Sequence, residues 1–261
     1  MTFEPGTVWL VGAGPGDPGL LTLHAARALA EADVVLHDAL VCPEILALAP
    51  QARLEPVGKR AGRARTPQLR INERLIRLAR EGHRVVRLKG GDPLVFGRGG
   101  EEALALAAAG IRFRIVPGVS AGIGGTAAAG IPVTHRGLAR SVAFVTGHDA
   151  SGEPPDLDWC ALARGADVLV LYMALRQIGV IAAHLRAAGR DDAEPVALIS
   201  DATTPRQQVA TTTLGEAEYT AASIPSRAPT LIVIGPVVAL RPLIAAWQDA
   251  MPRPEGERHA A

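Results

Sequence analysis

The chain has 261 residues, 48% of them hydrophobic, and 27 Lys+Arg against 26 Asp+Glu leave a net charge of +1. That length suits two domains of ordinary size or one large one, with enough apolar side chain to bury real cores. An aromatic content of 3% argues against stacking platforms for single-stranded nucleic acid, and two isolated cysteines, Cys42 and Cys160, exclude a disulfide framework or zinc knuckle and suggest an intracellular protein.

In chain order, strands are expected at Thr7–Gly12, Asp33–His37, Arg53–Val57, Arg84–Leu88 and Ile111–Val116, with helices at Leu20–Ala30, Glu44–Leu48, Pro67–Glu81 and Gly100–Ala109. This βαβα alternation implies a mainly parallel sheet covered on both faces. Residues 115–135 carry no charge but hold two prolines and five glycines, a poor membrane span. The pattern restarts with strands at Ser141–Thr146, Asp167–Tyr172, Val196–Ser200, Gln207–Thr213 and Thr230–Ile234, and helices over 174–188 and 236–248. The short turn before Gln207 predicts a mixed second sheet. The expected organisation is an α/β domain over 1–135, a second over 141–248, and a flexible tail over 252–261. No basic n-region with an apolar run follows Met1, so no signal peptide is expected.

The turn Gly12-Ala13-Gly14-Pro15-Gly16-Asp17-Pro18-Gly19 follows the first strand and satisfies G-x-G-x-x-G from Gly14, with Asp38 ending the second strand. Nominally this is a dinucleotide fingerprint, and a nicotinamide oxidoreductase is the rival it suggests. Asp17 would set a carboxylate beside a pyrophosphate, and Pro15 and Pro18 lack the N–H donors a phosphate needs. The turn better suits a ligand without phosphates.

A second glycine-rich segment, Arg87 to Glu102, lies between a predicted strand and helix, where open α/β sheets bind ligands. Its glycines allow close backbone approach, and Glu101 and Glu102 complement a helix dipole. Arg98 stands among the glycines as a candidate ligand contact. Between Arg53 and Arg98 there are 13 basic and 4 acidic residues, which suggests an anionic partner. Of the 27 basic residues only Lys59 and Lys89 are lysines, so an amine able to release its proton is a candidate function for either. No metalloprotease, nucleophile-elbow or P-loop pattern is present, and no metal site is expected.

The segments GAGPGDPGLLTLHA (12–25), HDALV (37–41), GKRAG (58–62), VRLKGGDPLVFGRGGEE (86–102), VPGVSAG (116–122), GIPVTHRG (130–137), VTGH (145–148), LYMAL (171–175) and SRAPTLIVIG (226–235) resemble the tetrapyrrole methylase family across roughly Val8 to Val238. The resemblance implies two α/β domains with an S-adenosylmethionine cleft between them and S-adenosylhomocysteine as co-product. It also implies a cytoplasmic homodimer without metal, nucleic acid or membrane. The implied reaction methylates uroporphyrinogen III at carbons 2 and 7, giving precorrin-2 for sirohaem and cobalamin; a later corrin precursor is the alternative substrate. Cofactor contacts carried over are Pro15, Gly90, Gly91, Asp92, Val95, Ser120, Ala121, Met173, Ala202 and Thr230, with Asp38 as proton acceptor and Lys59 as donor. Arg98 is the expected partner of a substrate carboxylate. His37, Arg70 and Ala174 depart from the family's usual residues at their positions.

Overall fold

The computed structural model describes residues 2–58, 67–149 and 153–249. Lys59, the loop arginines Arg60, Arg63 and Arg65, and the expected tail lie outside the described residues. The chain divides into two compact units, one through Gly124 and one from Gly125.

The first unit alternates β1 (Thr7–Gly12), α1 (Leu23–Glu31), β2 (Val34–His37), α2 (Pro43–Leu46), β3 (Arg53–Pro56), α3 (Gln68–Arg80), β4 (Arg84–Lys89), α4 (Gly99–Ala108) and β5 (Phe113–Val116). Its strands lie in the order β3-β2-β4-β1-β5, and every pairing is parallel. Alternation along each strand sorts side chains to two faces. Trp9, Val11, Val35, Val86 and Leu88 pack with Ala25, Ala28, Leu29 and Ile45 of α1 and α2. Val8, Leu10, Val34, Leu36 and Val85 pack with Ile71, Leu75 and Leu78 of α3 and Leu106 of α4. Helices therefore cover both faces, as the βαβα pattern requires. In α3 the buried positions 71, 75, 78 and 79 form one stripe, while Arg70 and Arg77 stand on the exposed side.

α5 (Ala121–Ala128) carries the chain across the division into β6 (Val142–Thr146), α6 (Trp159–Gly165), β7 (Val168–Tyr172), α7 (Ile178–Ala187), β8 (Pro195–Ser200), β9 (Gln208–Thr213), α8 (Ala217–Ala222), β10 (Thr230–Ile234) and α9 (Arg241–Asp249). The second sheet runs β6-β7-β10-β8-β9, with β6 and β7 parallel and the other pairs antiparallel. It is the mixed sheet expected.

The observed elements differ from expectation where local signals are weak. α5 contains Gly122, Gly124 and Gly125, whose low helix propensity hides it. α6 and α8 have only seven and six residues, too few to show a period. α1 begins three residues later than predicted because Thr22 caps it, its side chain accepting the Ala25 N–H at 3.1 Å. α7 begins at Ile178, not 174, because Met173 is left-handed (φ 57°) and residues 174–177 form a turn first. The predicted 236–248 helix starts as a 3-10 turn over Pro236–Leu240 before α9.

Candidate active site

In the first unit, the chain leaves β1, β2 and β4 at neighbouring carboxyl ends. The turn after β1 is closed by its own backbone: Ala13 N–H donates to Lys89 O at 2.7 Å, and Gly14 and Gly91 exchange bonds of 3.2 and 2.7 Å. Asp17 Oδ1 accepts the Gly19 N–H at 2.7 Å and caps the 3-10 turn Pro18–Leu20. With these amides committed and two prolines donating nothing, the turn is no phosphate cradle. A Cβ on Gly12 would lie 2.5 Å from Gly118 Cα and 2.6 Å from Gly91 O, so only glycine lets these three segments meet.

The loop after β4 places Gly90, Gly91, Asp92 and Val95 together. Asp92 accepts the Leu94 N–H at 2.8 Å through Oδ1 and the Gly118 N–H at 3.1 Å through Oδ2, bracing this loop to the one after β5. Added Cβ atoms at Gly90 and Gly91 would meet nothing closer than 3.7 Å, so the backbone there is open to a ligand. Phe96 and Arg98 both adopt left-handed backbone (φ 52° and 60°) and Leu94 and Phe96 are exposed, so the loop spends conformational strain to present its residues. The Arg98 guanidinium forks onto Glu101 at 2.8 and 2.7 Å, and that carboxylate raises its already high pKa. Ser120 is buried, and Ala121 opens α5 beside it.

Beneath this loop lies an ionic cluster whose centre the sequence reading missed. Glu102, expected merely to complement a helix dipole, is fully buried. Its Oε1 accepts from Arg87 Nε (3.0 Å), Lys89 Nζ (3.2 Å) and Gln68 Nε2 (3.1 Å). Arg87 also donates to the carbonyls of Leu36 and Leu88 and, at 2.5 Å, to Asp38 Oδ1. Arg87 and Lys89 are each 2% exposed. Burial pulls the Lys89 amine below the ordinary lysine pKa, helped by the Arg87 charge and opposed by Glu102 and Asp38. The available signal was spacing: Arg87 and Lys89 alternate with apolar residues on one strand and so face the same core side, where two cations demand a carboxylate.

Within the fold, several cations of the basic segment pair with acids. Arg84, Arg87, Lys89 and Arg98 pair with Asp33, Asp38, Glu102 and Glu101, and Asp33, Asp38, Glu101 and Glu102 lie outside the counted stretch. Arg53 and Arg74 share Glu55. The four acids from outside the stretch offset part of the excess, while Lys59, Arg60, Arg63 and Arg65 lie outside the described residues.

In the second unit, Met173 directly follows β7, is left-handed, and is 46% exposed, so it is not an ordinary core methionine. Ala174 behind it is fully buried over Gly147, where a Cβ would approach Ala174 Cα to 2.2 Å. Ala202 is buried, between left-handed Asp201 and Thr203 after β8. Thr230 opens β10, its hydroxyl 3.1 Å from Ser200 Oγ and 3.0 Å from Ala228 O. Among the described residues no group of three His, Cys, Asp or Glu side chains could hold a metal ion. No described helix is long and apolar enough to cross a membrane.

A first unit with glycine loops gathered at the carboxyl ends of a parallel sheet, followed by a second with a mixed sheet, defines a recognisable class. The model of the tetrapyrrole (corrin/porphyrin) methylases matches residues 7–218, and the chain belongs to that family. Among named relatives, it is 58% identical over 99% of its length to a uroporphyrinogen-III C-methyltransferase of Sinorhizobium sp, covering 92% of that protein. It is 52% identical over 96% of its length to siroheme synthase 1 of Yersinia enterocolitica, of which it spans about half (52%). The structure of the Thermus thermophilus uroporphyrin-III C-methyl transferase complexed with S-adenyl homocysteine matches with TM-score 0.78 and 43% identity, covering 90% of this chain and 94% of that one. A cobalt precorrin-4 methyltransferase matches at TM-score 0.79 and 26% identity, over 89% of this chain and 96% of that one.

Proposed function

We propose that this chain is an S-adenosylmethionine-dependent C-methyltransferase that converts uroporphyrinogen III to precorrin-2 by methylation at carbons 2 and 7. The observation that carries this reading is the 58% identity, over nearly the whole chain, to the Sinorhizobium uroporphyrinogen-III C-methyltransferase. The lower identity to the cobalt precorrin-4 enzyme favours the early substrate over a later corrin precursor.

The residues present fit the cofactor. A sulfonium amino acid joined to a nucleoside carries no phosphate, and the open backbone at Gly90 and Gly91 beside a phosphate-unfriendly turn suits it. Pro15, Gly90, Gly91, Asp92, Val95, Ser120 and Ala121 in the first unit, with Met173, Ala202 and Thr230 in the second, are the proposed contacts. When bound, the cofactor supplies an electrophilic methyl group, which an electron-rich pyrrole carbon can attack without metal assistance.

The chain's own work is then to orient the two ligands, exclude water and move a proton. Asp38, at the end of β2 with its side chain 30% exposed, is the proposed acceptor of the proton that the alkylated macrocycle must lose. Lys59 is the proposed donor. Arg98 and Glu101 form a charged fork on the exposed loop, and Arg98 is the proposed contact for a substrate carboxylate. The proposed functional domains are 1–135 and 141–248, and the enzyme acts in the cytoplasm as a homodimer without nucleic acid or membrane.

The test is anaerobic incubation of the protein with S-adenosylmethionine and uroporphyrinogen III, followed by mass spectrometry of the tetrapyrrole. Gain of two methyl groups is expected. No gain, with active protein and reduced substrate verified, overturns the assignment and moves it to a later corrin precursor.

A further inference from the structure

We propose that Glu102 is a positioning residue for the reaction: through Arg87 it fixes the orientation of the Asp38 carboxylate. The inference rests on the reading of Asp38 as proton acceptor.

The geometry is a chain with one buried and one open end. Glu102 is fully buried on α4 and cannot touch a substrate. Asp38 is partly exposed at the end of β2. Arg87 on β4 joins them, giving its Nε–H to Glu102 and an Nη2–H to Asp38. A guanidinium is planar, so fixing Nε fixes the direction of Nη2. The remaining Nη1 donates to the carbonyls of Leu36 and Leu88, which locks the plane against β2 and β4. The Asp38 backbone is itself tied to β4, its N–H donating to Leu88 O at 3.1 Å. The acceptor carboxylate is thus held at both its backbone and its side chain by the same strand.

Pure structural stabilisation explains this poorly. Ionic clusters in a core seldom improve stability over apolar residues of equal volume, because desolvation offsets the attraction. Here the centre is also imperfectly satisfied: the buried Glu102 Oε2 has no hydrogen-bond partner among the described residues. A feature that contributes little stability and ends at a candidate proton acceptor is better accounted for by positioning. Among the described residues, the charged and titratable groups around the chain are Arg87 and Lys89 of β4, Glu102 of α4, and His37 of β2, whose Nδ1 lies 3.1 Å from Asp38 O.

Two variants test the idea. Glu102→Gln keeps shape but removes the buried negative charge; Arg87→Lys keeps the charge balance but cannot span two carboxylates. Each is expected to lower kcat about 10–100-fold, the scale of misaligned catalytic groups, with substrate KM and S-adenosylhomocysteine Kd within about twofold of wild type. Should Glu102→Gln fail to fold, judged by lost S-adenosylhomocysteine binding, Arg87→Lys carries the test alone. Wild-type kcat in the folded variants overturns the inference. Asp38→Asn, measured in parallel, separates the two failures. An inactive Asp38→Asn beside fully active Glu102→Gln and Arg87→Lys refutes the positioning role only. A fully active Asp38→Asn refutes the acceptor reading beneath it.

Discussion

Ion pairs in the first unit divide by burial, and burial decides what each can do. Asp33 accepts three bonds from Arg84, two from the guanidinium and one from the backbone N–H. The Arg84 contacts hold its carboxyl below the ordinary aspartate value of 3.8. A depressed acid contributes stability above its unfolded pKa and loses it as pH falls through the folded one. Because both side chains are about a third exposed, Asp33→Asn should cost only about 1 kcal/mol at neutral pH. Thermal unfolding across pH checks this: the two midpoints should converge as pH falls through the lowered Asp33 titration. Arg98 makes the opposite case, an exposed fork onto Glu101. Arg98→Ala should raise the substrate KM about tenfold or more while the S-adenosylhomocysteine Kd changes little. Calorimetry and steady-state kinetics on that variant decide the role, and the reverse pattern refutes it. The sequence made Arg98 conspicuous by its glycine neighbours. It could not reveal Glu102, because an acid in a first helical turn has an ordinary explanation until the facing strand is known.

At the level of elements, the strands and long helices were readable because each buries a repeating face. α3 shows this well, with four buried positions at helical spacing along 13 residues. The loops between them are fixed by contacts no period reveals. Gly12 at the end of β1 and Gly91 and Gly118 in two loops approach so closely that a methyl group on Gly12 would sit 2.5–2.6 Å from backbone atoms. Backbone cannot yield as a flexible side chain can. Gly12→Ala should therefore destabilise the first unit by about 3 kcal/mol or more, at the upper end of overpacking costs. Urea denaturation reads the loss directly. A change under 1 kcal/mol would mean that the loops separate easily and do not form a rigid cradle.

For the whole molecule, ligand linkage discriminates between the readings that the glycine turn alone left open. A ligand that binds only the folded chain at 100 times its Kd adds about 2.7 kcal/mol. For a protein of this size S-adenosylhomocysteine should then raise Tm by roughly 5–10 °C. NADH at equal concentration should leave it unchanged, and the reverse result would restore the oxidoreductase. With two compact units, the transition stabilised also reports which unit gains. The sequence by itself determined the two α/β units, the parallel first sheet and mixed second one, and the family, because periodic burial and glycine punctuation are local and are written along the chain. Tertiary structure alone decided which cations of the basic stretch pair with distant acids, that Met173 is presented and not buried, and that Asp38, Arg87, Lys89 and Glu102 form one cluster. Pairing between β2, β4 and α4 brings charges up to 64 positions apart within a few ångströms, and that proximity has no counterpart in one dimension.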